Sequence, residues 1–237
     1  MYDILETEIS FEILKKIVDE CKKIKIGLIG GWATYSFVND NYKKAFGIEY
    51  LRSRDIDIFV DSKDTLKFRK IIEKLGFEKS AYYFRYELIY DREEKKFIKK
   101  NVANKKQIYN LIYVFLDVFS NKKSKLDAWI IEELSKAKLK VVSSIPLVDI
   151  KTLLKLKSFS LFEREKLDKE LKDGCDLYAL LMYSEEKIIL SQKIKKAIEK
   201  IMKRNDLCEF IAENVLKDML KVGIVKATLR SILRKDD

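Results

Sequence analysis

Two aspartates one residue apart are the side chains of this sequence best placed to do chemistry. Asp55 and Asp57 lie in the stretch RSRDIDIF, where polar and apolar residues alternate as along a half-buried strand. Side chains at positions i and i+2 of a strand share one face, so the two carboxylates converge while Ile56 and Ile58 pack behind them. Neighbouring carboxylates repel unless a cation lies between them, and a divalent ion such as Mg²⁺ meets that need. The pattern is also compatible with an exposed acidic strand face.

Two further features strengthen the hypothesis of a metal and phosphate site. Gly30 and Gly31 follow the apolar run Ile26–Ile29, where a predicted strand turns into a helix. Glycines there let phosphates approach the backbone and the free N–H groups of the helix. Asp117 interrupts the apolar run LIYVFLDVF, and a lone carboxylate in such a strand is costly unless it is paired or binds a metal. A strand-end aspartate that caps a turn is the alternative for Asp117.

The order of these features resembles the nucleotidyltransferase superfamily, the fold family of the polymerase β palm. Strand–Gly-Gly–helix comes first, then Asp-Ile-Asp on a strand, then a single aspartate on a later strand. The resemblance implies that Gly30 and Gly31 hold the phosphates of a nucleoside triphosphate. It also implies that Asp55, Asp57 and Asp117 are catalytic and bind two Mg²⁺ ions. One ion would activate the attacking hydroxyl and the other would neutralise the leaving pyrophosphate.

A later segment indicates a subfamily. GGWA at 30–33 and RSRDIDIF at 52–59 resemble both the aminoglycoside and lincosamide adenylyltransferases and the AbiEii-type toxins of toxin–antitoxin systems. The segment 145–181 resembles the fourth motif of the AbiEii-type group, which favours that group. The matching positions are Lys157, Arg164, Lys172, Asp173 and Asp176. The resemblance implies that Lys157 and Asp173 bind the nucleotide.

The residues themselves leave alternatives open in this later segment. Lys157 is equally compatible with a solvated helix face, and Asp173 with Asp176 is compatible with an N-terminal helix cap. Arg52 and Arg54 flank the metal strand and are candidates to contact phosphate, although exposed arginines commonly have no such role.

The composition restricts the chemistry. The chain of 237 residues contains no histidine, which excludes Ser-His-Asp triads, histidine bases and most zinc sites. Cys21, Cys175 and Cys208 form no CxxC pair and indicate neither a disulfide framework nor a zinc site. The formal net charge of +11 favours an anionic partner, although a lysine-rich proteome also produces lysine-rich surfaces.

The sequence also suggests where the protein works. No apolar run approaches the about 18 residues of a membrane span. The acidic start MYDILETEIS lacks the basic region of a signal peptide. We therefore expect a cytoplasmic protein with no membrane partner.

The elements that position these residues follow from periodicity. Apolar residues four apart predict a helix over 8–24, and further helices are predicted over 32–38 and 63–75. Tyr82–Tyr90 and Ile108–Phe119 predict antiparallel strands joined by a charged connection. A short strand is predicted at Leu139–Val142.

After Pro146, the only proline, the chain is predicted to be helical. We therefore predict a mixed α/β fold, with a nucleotidyltransferase catalytic domain over 1–145 and a helical C-terminal domain over 146–237.

Three functions compete. The first is transfer of a nucleoside monophosphate to RNA, namely tRNA, as in the toxin-like relatives, with an antitoxin protein as a further partner. The second is transfer to a small molecule, such as an aminoglycoside, or to a protein side chain. The third is a catalytically inactive RNA-binding or interaction module, which the intact aspartate trio disfavours.

One C-terminal segment bears on the RNA hypothesis. The stretch KIKKAIEKIMKR at 193–204 predicts a helix with one apolar stripe and an adjacent row of lysines. The row is formed by Lys193, Lys196, Lys200 and Lys203. Such a row suits a phosphate backbone, and it also suits a solvated helix.

Overall fold

The computed structural model describes residues 3–121, 128–163, 167–186 and 188–234. The chain divides into two compact units, one of Met1–Ala33 with Arg52–Val148 and one of Thr34–Leu51 with Asp149–Asp237. The later break falls close to the predicted boundary after residue 145, while residues 34–51 group with the C-terminal part. The predicted mixed α/β fold followed by helices is confirmed.

The first unit is built on a mixed sheet. The strands are β1 Ile26–Ile29, β2 Ile56–Val60, β3 Glu78–Lys79, β4 Arg85–Asp91, β5 Lys96–Ile98, β6 Leu111–Ser120, β7 Leu139–Val142 and β8 Ile145–Val148. The helices are α1 Ile4–Glu20, the first turn of α2 (Gly30–Phe46), α3 Thr65–Lys74, α4 Lys100–Ala103, α5 Ala128–Lys136 and a 3₁₀ turn at Ile108–Asn110. The strand order is β3-β4-β6-β2-β1-β8-β7, and β5 pairs with β4.

Strand direction changes across the sheet. β2 runs antiparallel to β1 and parallel to β6, and β6 runs antiparallel to β4. Within β2, Ile56 and Ile58 are almost fully buried on the face opposite Asp57, as the alternation predicts. The antiparallel pairing of β4 with β6 confirms the predicted pairing of the two aromatic-rich strands.

Helix α1 packs on the sheet through the apolar face that the sequence predicts. Ile13, Ile17 and Cys21 are buried. The helix begins earlier than predicted, at Ile4, because the Asp3 side chain accepts a hydrogen bond from Leu5 N–H at 2.8 Å and caps it.

The end of the sheet departs from the sequence prediction. The chain is not yet helical at Pro146, which lies within β8 opposite Val141 of β7. The two strands form a tight hairpin whose loop residues, Ser143 and Ser144, both have positive φ, 48° and 66°. Positive φ at both loop residues is typical of a type I′ turn, which usually carries Asn-Gly, so the sequence gives no hairpin signal here.

The charged connection between β4 and β6 is also more ordered than predicted. It contains β5 and α4. Asp91 at the end of β4 is fully buried, accepts backbone hydrogen bonds from Glu93 and Glu94, and pairs with Lys106. This charged turn therefore folds back on the sheet instead of looping through solvent.

The second unit is helical. It comprises the rest of α2 with α6 Ile150–Glu163, α7 Leu167–Tyr183, α8 Gln192–Lys203, α9 Asn205–Asn214 and α10 Val222–Arg234, and a 3₁₀ turn at Met219–Lys221. Tyr42 of α2 is buried and donates its hydroxyl to the Val215 carbonyl at 2.7 Å. The Tyr42 ring makes edge contacts with Tyr50 and Tyr183. These contacts explain why residues 34–51 belong to this unit.

Helix α8 confirms part of its prediction. Its apolar stripe of Ile194, Ala197, Ile198 and Ile201 is fully buried. The helices of the described ranges include none that is long and apolar enough to cross a membrane.

Candidate active site

Two of the three predicted catalytic residues, Asp57 and Asp117, lie in one row across the sheet. Ile29, which directly precedes Gly30, pairs with Asp57, and Asp57 pairs with Asp117 in the parallel register of β2 and β6. Asp117 in turn pairs with Arg85 of β4. Directly paired residues share a face, so the two aspartates and Arg85 lie side by side.

Gly30 makes a close approach to Asp57 that only glycine permits. Its φ is +69°, in the left-handed region. A Cβ atom on this residue would lie 2.0 Å from Asp57 Oδ2. Helix α2 starts at Gly30, and Gly31 is buried in its first turn, so the positive end of the helix dipole lies beside Asp57.

Asp117 is held by an arginine that sequence reasoning missed. The Arg85 guanidinium donates from Nε to Asp117 Oδ1 at 2.6 Å and from Nη2 to Oδ2 at 2.7 Å. Both oxygens of the carboxylate therefore accept from one planar group, the bidentate geometry in which arginine binds carboxylates most strongly. The Asp117 side chain is 9% exposed and that of Arg85 is 19% exposed. The ion pair is therefore mostly buried, and the arginine side chain keeps some contact with solvent.

Aromatic rings surround the same guanidinium. Its carbon lies 4.8 Å from the centre of the Phe115 ring, 5.7 Å from that of Tyr82 and 5.9 Å from that of Phe84. The hydrogen bonds to Asp117 and the attraction of Asp117, Asp55 and Asp57 raise the pKa of Arg85 above its ordinary value, although burial opposes this. Arg85 therefore stays protonated and keeps its positive charge beside three carboxylates.

Asp55 directly precedes β2 and is partly exposed. Its Oδ1 lies 3.4 Å from Nε of Arg54, and Arg54 Nη1 lies 3.8 Å from Glu6 of α1. Arg52 lies 4.0 Å from Glu8 of the same helix. Both flanking arginines thus lie against the acidic side of α1, and their predicted contact with phosphate stays a prediction.

The donors fit a magnesium ion only in part. Asp55 and Asp57 offer the hard oxygen atoms that Mg²⁺ prefers. Asp117 lies in register but is engaged by Arg85 at both oxygens. Within the described ranges, no group of three or more Cys, Asp and Glu side chains is arranged to hold a metal ion. The two-ion site with all three aspartates stays a prediction.

The residues predicted from the fourth motif form a separate cluster in the second unit. Lys157 Nζ lies 2.8 Å from Asp173 Oδ1 and 2.6 Å from Asp176 Oδ2. The Tyr50 hydroxyl donates to Asp176 Oδ1 at 3.0 Å. All four residues are buried. Lys157 is therefore not on a solvated helix face.

The helix-cap alternative for the two aspartates is also wrong, because Asp173 and Asp176 lie inside α7, well after its start at Leu167. Burial acts to lower the pKa of Lys157, but attraction to the two carboxylates outweighs it and raises that pKa. Lys172 lies on the same helix, partly exposed. Arg164 lies outside the described residues.

One sequence signal could have revealed Arg85. It interrupts the run YYFRYELIY much as Asp117 interrupts LIYVFLDVF, and the two runs were predicted to pair. Opposite charges in paired apolar strands indicate an ion pair.

Comparisons with known proteins give similarity at the level of structure. No family model and no curated protein matches the chain. JHP933 from Helicobacter pylori has a similar structure, with a TM-score of 0.59, 14% identity, and coverage of 97% of this chain and 93% of that one. At this identity the likeness is one of fold, and it extends through both units.

Two further solved structures give lower scores. An antigenic nucleotidyltransferase-like protein from Paracoccidioides brasiliensis has a TM-score of 0.47 at 17% identity, covering 89% of this chain and 93% of its own. ANT(2″)-Ia in complex with adenylyl-2″-tobramycin has a TM-score of 0.44 at 12% identity, covering 94% and 98%.

Proposed function

We propose that the protein is a metal-dependent nucleotidyltransferase that transfers a nucleoside monophosphate from a nucleoside triphosphate to an acceptor hydroxyl on RNA. The observation that supports this best is the pairing of Asp57 with Asp117 on adjacent strands, beside Gly30 at the start of a helix. A phosphate turn, a metal carboxylate and a further carboxylate in that arrangement match the needs of phosphoryl transfer.

In this proposal each group has a chemical role. The backbone N–H groups at the start of α2 would receive the triphosphate beside Asp57, whose carboxylate occupies the space that a side chain on residue 30 would fill. Asp55 and Asp57 would hold Mg²⁺, which when bound neutralises charge on the phosphates. Asp117 orients the acceptor hydroxyl and accepts its proton. A bond forms between the acceptor oxygen and the α-phosphorus, the bond from that phosphorus to pyrophosphate breaks, and pyrophosphate leaves.

The RNA acceptor rests on charge. The net charge of +11 favours a polyanion, and Lys196 and Lys203 of α8 are exposed. The other two lysines of the predicted row are engaged within the second unit. Lys193 lies 3.5 Å from the centre of the Phe159 ring, and Lys200 lies 2.6 Å from Glu170. A tRNA acceptor, an antitoxin partner and a nucleotide role for Lys157 and Asp173 remain parts of the proposal.

The direct test is incubation of the purified protein with Mg²⁺, total RNA and each α-labelled nucleoside triphosphate in turn. Label on RNA, absent with Asp57→Ala protein and after EDTA, is the expected result. Label on the protein itself, or on an added aminoglycoside but not on RNA, would replace the acceptor and keep the chemistry. No transfer to any acceptor, with pyrophosphate never released, would contradict the proposed function.

A further inference from the structure

Arg85 stands where sequence reasoning places no cation. The third carboxylate of a two-metal site should offer its oxygens to the metal and to the acceptor hydroxyl. Here both oxygens of Asp117 already accept hydrogen bonds from the guanidinium, at 2.6 and 2.7 Å. A carboxylate bound in this way is poorly available to a metal or as a proton acceptor.

The position of Arg85 in the chain allows its guanidinium to move away from Asp117. It is the first residue of β4, directly after a turn. The nearby rings of Tyr82, Phe84 and Phe115 attract the guanidinium through their faces and take none of its N–H donors. Tyr82 is itself 60% exposed, so this aromatic surround reaches solvent. The guanidinium can therefore exchange one anion for another while its aromatic contacts persist.

We infer that Arg85 is the resident counter-cation of Asp117 and releases it when phosphate groups of the substrate take the guanidinium. The inference rests on the proposed function. A planar guanidinium binds phosphate in the same bidentate way as carboxylate, so the exchange replaces one charge-assisted pair with another. Asp117 then becomes available to metal and acceptor only once the nucleotide is present. Hydroxyl activation without a nucleotide is thereby suppressed.

A permanent structural pair makes the opposite prediction. If Arg85 only tied β4 to β6, its removal would lower stability, and Arg85→Lys, which keeps the positive charge, would bind cations and phosphates as wild type does. Metal and anion affinities therefore separate the two roles, and neither measurement requires turnover.

The first experiment measures Mn²⁺ binding to the nucleotide-free full chain by electron paramagnetic resonance. Arg85→Gln should bind Mn²⁺ about tenfold more tightly than wild type or better, because no charge-assisted pair has to be broken first. Arg85→Lys keeps the charge but loses the two-pronged geometry, so its affinity should fall between the two. It also provides the test if the glutamine variant does not fold.

The second experiment measures binding of inorganic tripolyphosphate by calorimetry in metal-free buffer. Arg85→Gln should bind it several-fold more weakly than wild type. Arg69→Gln is the matched control for both experiments, since Arg69 Nε also lies 2.7 Å from a carboxylate, that of Glu73, on exposed α3. It should behave as wild type in both.

The outcomes are distinct. Equal Mn²⁺ affinity for wild type and Arg85→Lys would overturn the inference and leave the proposed function standing. Unchanged tripolyphosphate affinity in Arg85→Gln would overturn the exchange onto phosphate. Absence of Mn²⁺ binding from every variant would overturn the metal-dependent function, and this inference with it.

Discussion

Each unit of the molecule contains a cation bound to aspartates, and the two cases differ in burial and in surroundings. In the first unit, Arg85 binds Asp117 beneath a partly exposed aromatic surround. In the second, Lys157 lies between Asp173 and Asp176, and none of the three side chains is more than 10% exposed. The Arg85 side chain is 19% exposed and reaches solvent, whereas the helical cluster is enclosed by the core.

This difference in burial affects how costly each ion pair is to break. A buried ion pair is costly to break, because removal of one partner leaves an uncompensated charge in a medium of low polarity. The Tyr50 hydroxyl completes the helical cluster, and burial together with the Asp176 carboxylate raises the pKa of Tyr50 well above its ordinary value. We therefore expect substitutions in the helical cluster to act mainly on stability, and substitutions in the row of the sheet to act mainly on activity.

The largest effect is expected from Asp57→Ala. Transfer should fall by about a thousandfold or more, because the carboxylate between Gly30 and Asp117 is lost. The free energy of unfolding should change by less than about 1 kcal/mol, because the lost attraction to Arg85 and to the start of α2 is offset by the relief of repulsion among neighbouring carboxylates. Asp61→Ala, directly after the other end of the same strand, is the control and should keep its activity. Full transfer by Asp57→Ala protein would remove the row from the mechanism.

Gly30→Ala should come next. The new methyl group would lie 2.0 Å from the present position of Asp57 Oδ2. Asp57 must then move, and a displacement of about 1 Å can cost about a hundredfold in rate. Gly47→Ala is the matched control, because Gly47 has a φ of +72° and nothing within 4 Å of its added Cβ. It should lose about 1 kcal/mol of stability and no activity. Equal activity in the two variants would show that the approach of Gly30 to Asp57 is unimportant.

Lys157→Ala should act mainly on folding. Two buried carboxylates would lose their cation, at a cost of about 3–5 kcal/mol in the free energy of unfolding, measured in urea. Lys155→Ala, on a partly exposed position of the same helix, should cost less than about 1 kcal/mol. A loss of nucleotide affinity in the folded Lys157→Ala protein would instead support the nucleotide role that the family resemblance implies.

The same cluster predicts a pH response. The pKa of Lys157 is raised in the folded protein, so its stabilisation is complete below the unfolded-state pKa of about 10.4. It is lost as pH rises further, through the folded-state pKa. The stability difference between wild type and Lys157→Ala should therefore stay constant from pH 7 to about 9. A difference that narrows within this range would contradict the ion-pair account.

The smallest effect is expected on α8. Lys196→Glu with Lys203→Glu should weaken RNA binding and reduce the slope of log affinity against log salt by about 2, one for each lost phosphate contact. Lys43→Glu with Lys44→Glu makes the same charge change at exposed positions of α2 and should alter the slope less. Identical slopes for both pairs would indicate that net charge alone, and not this helix face, attracts RNA.

Local patterns were sufficient to predict much of the site. Alternation predicted the strand that contains Asp57 and begins directly after Asp55, and the Gly-Gly turn and the Asp117 strand followed from short apolar runs. The burial of Lys157 was harder to predict, although Leu153 and Leu161 lie one helical turn to either side of it and are both fully buried. That spacing indicates a core position, and the neighbouring lysines concealed it.

Long-range register was beyond these patterns. Arg85 and Asp117 are 32 residues apart, and only the pairing of β4 with β6 brings them together. β8 was missed for a different reason. The hairpin that joins β7 to β8 depends on two serines in a conformation that serine rarely adopts, and the proline within β8 did not suggest a strand.

The alignment of Asp57 with Asp117 also makes the site sensitive to whether a deletion in β6 removes an odd or an even number of residues. Loss of a single codon between the start of β6 and Asp117 would turn every later side chain of that strand over, sending the carboxylate into the core and Leu116 or Val118 outward. Loss of two codons would restore the orientation, although it would shift Asp117 two positions out of its alignment with Asp57. Among in-frame deletions in this strand that leave Asp117 in place, those of odd length should therefore be selected against more strongly than those of even length.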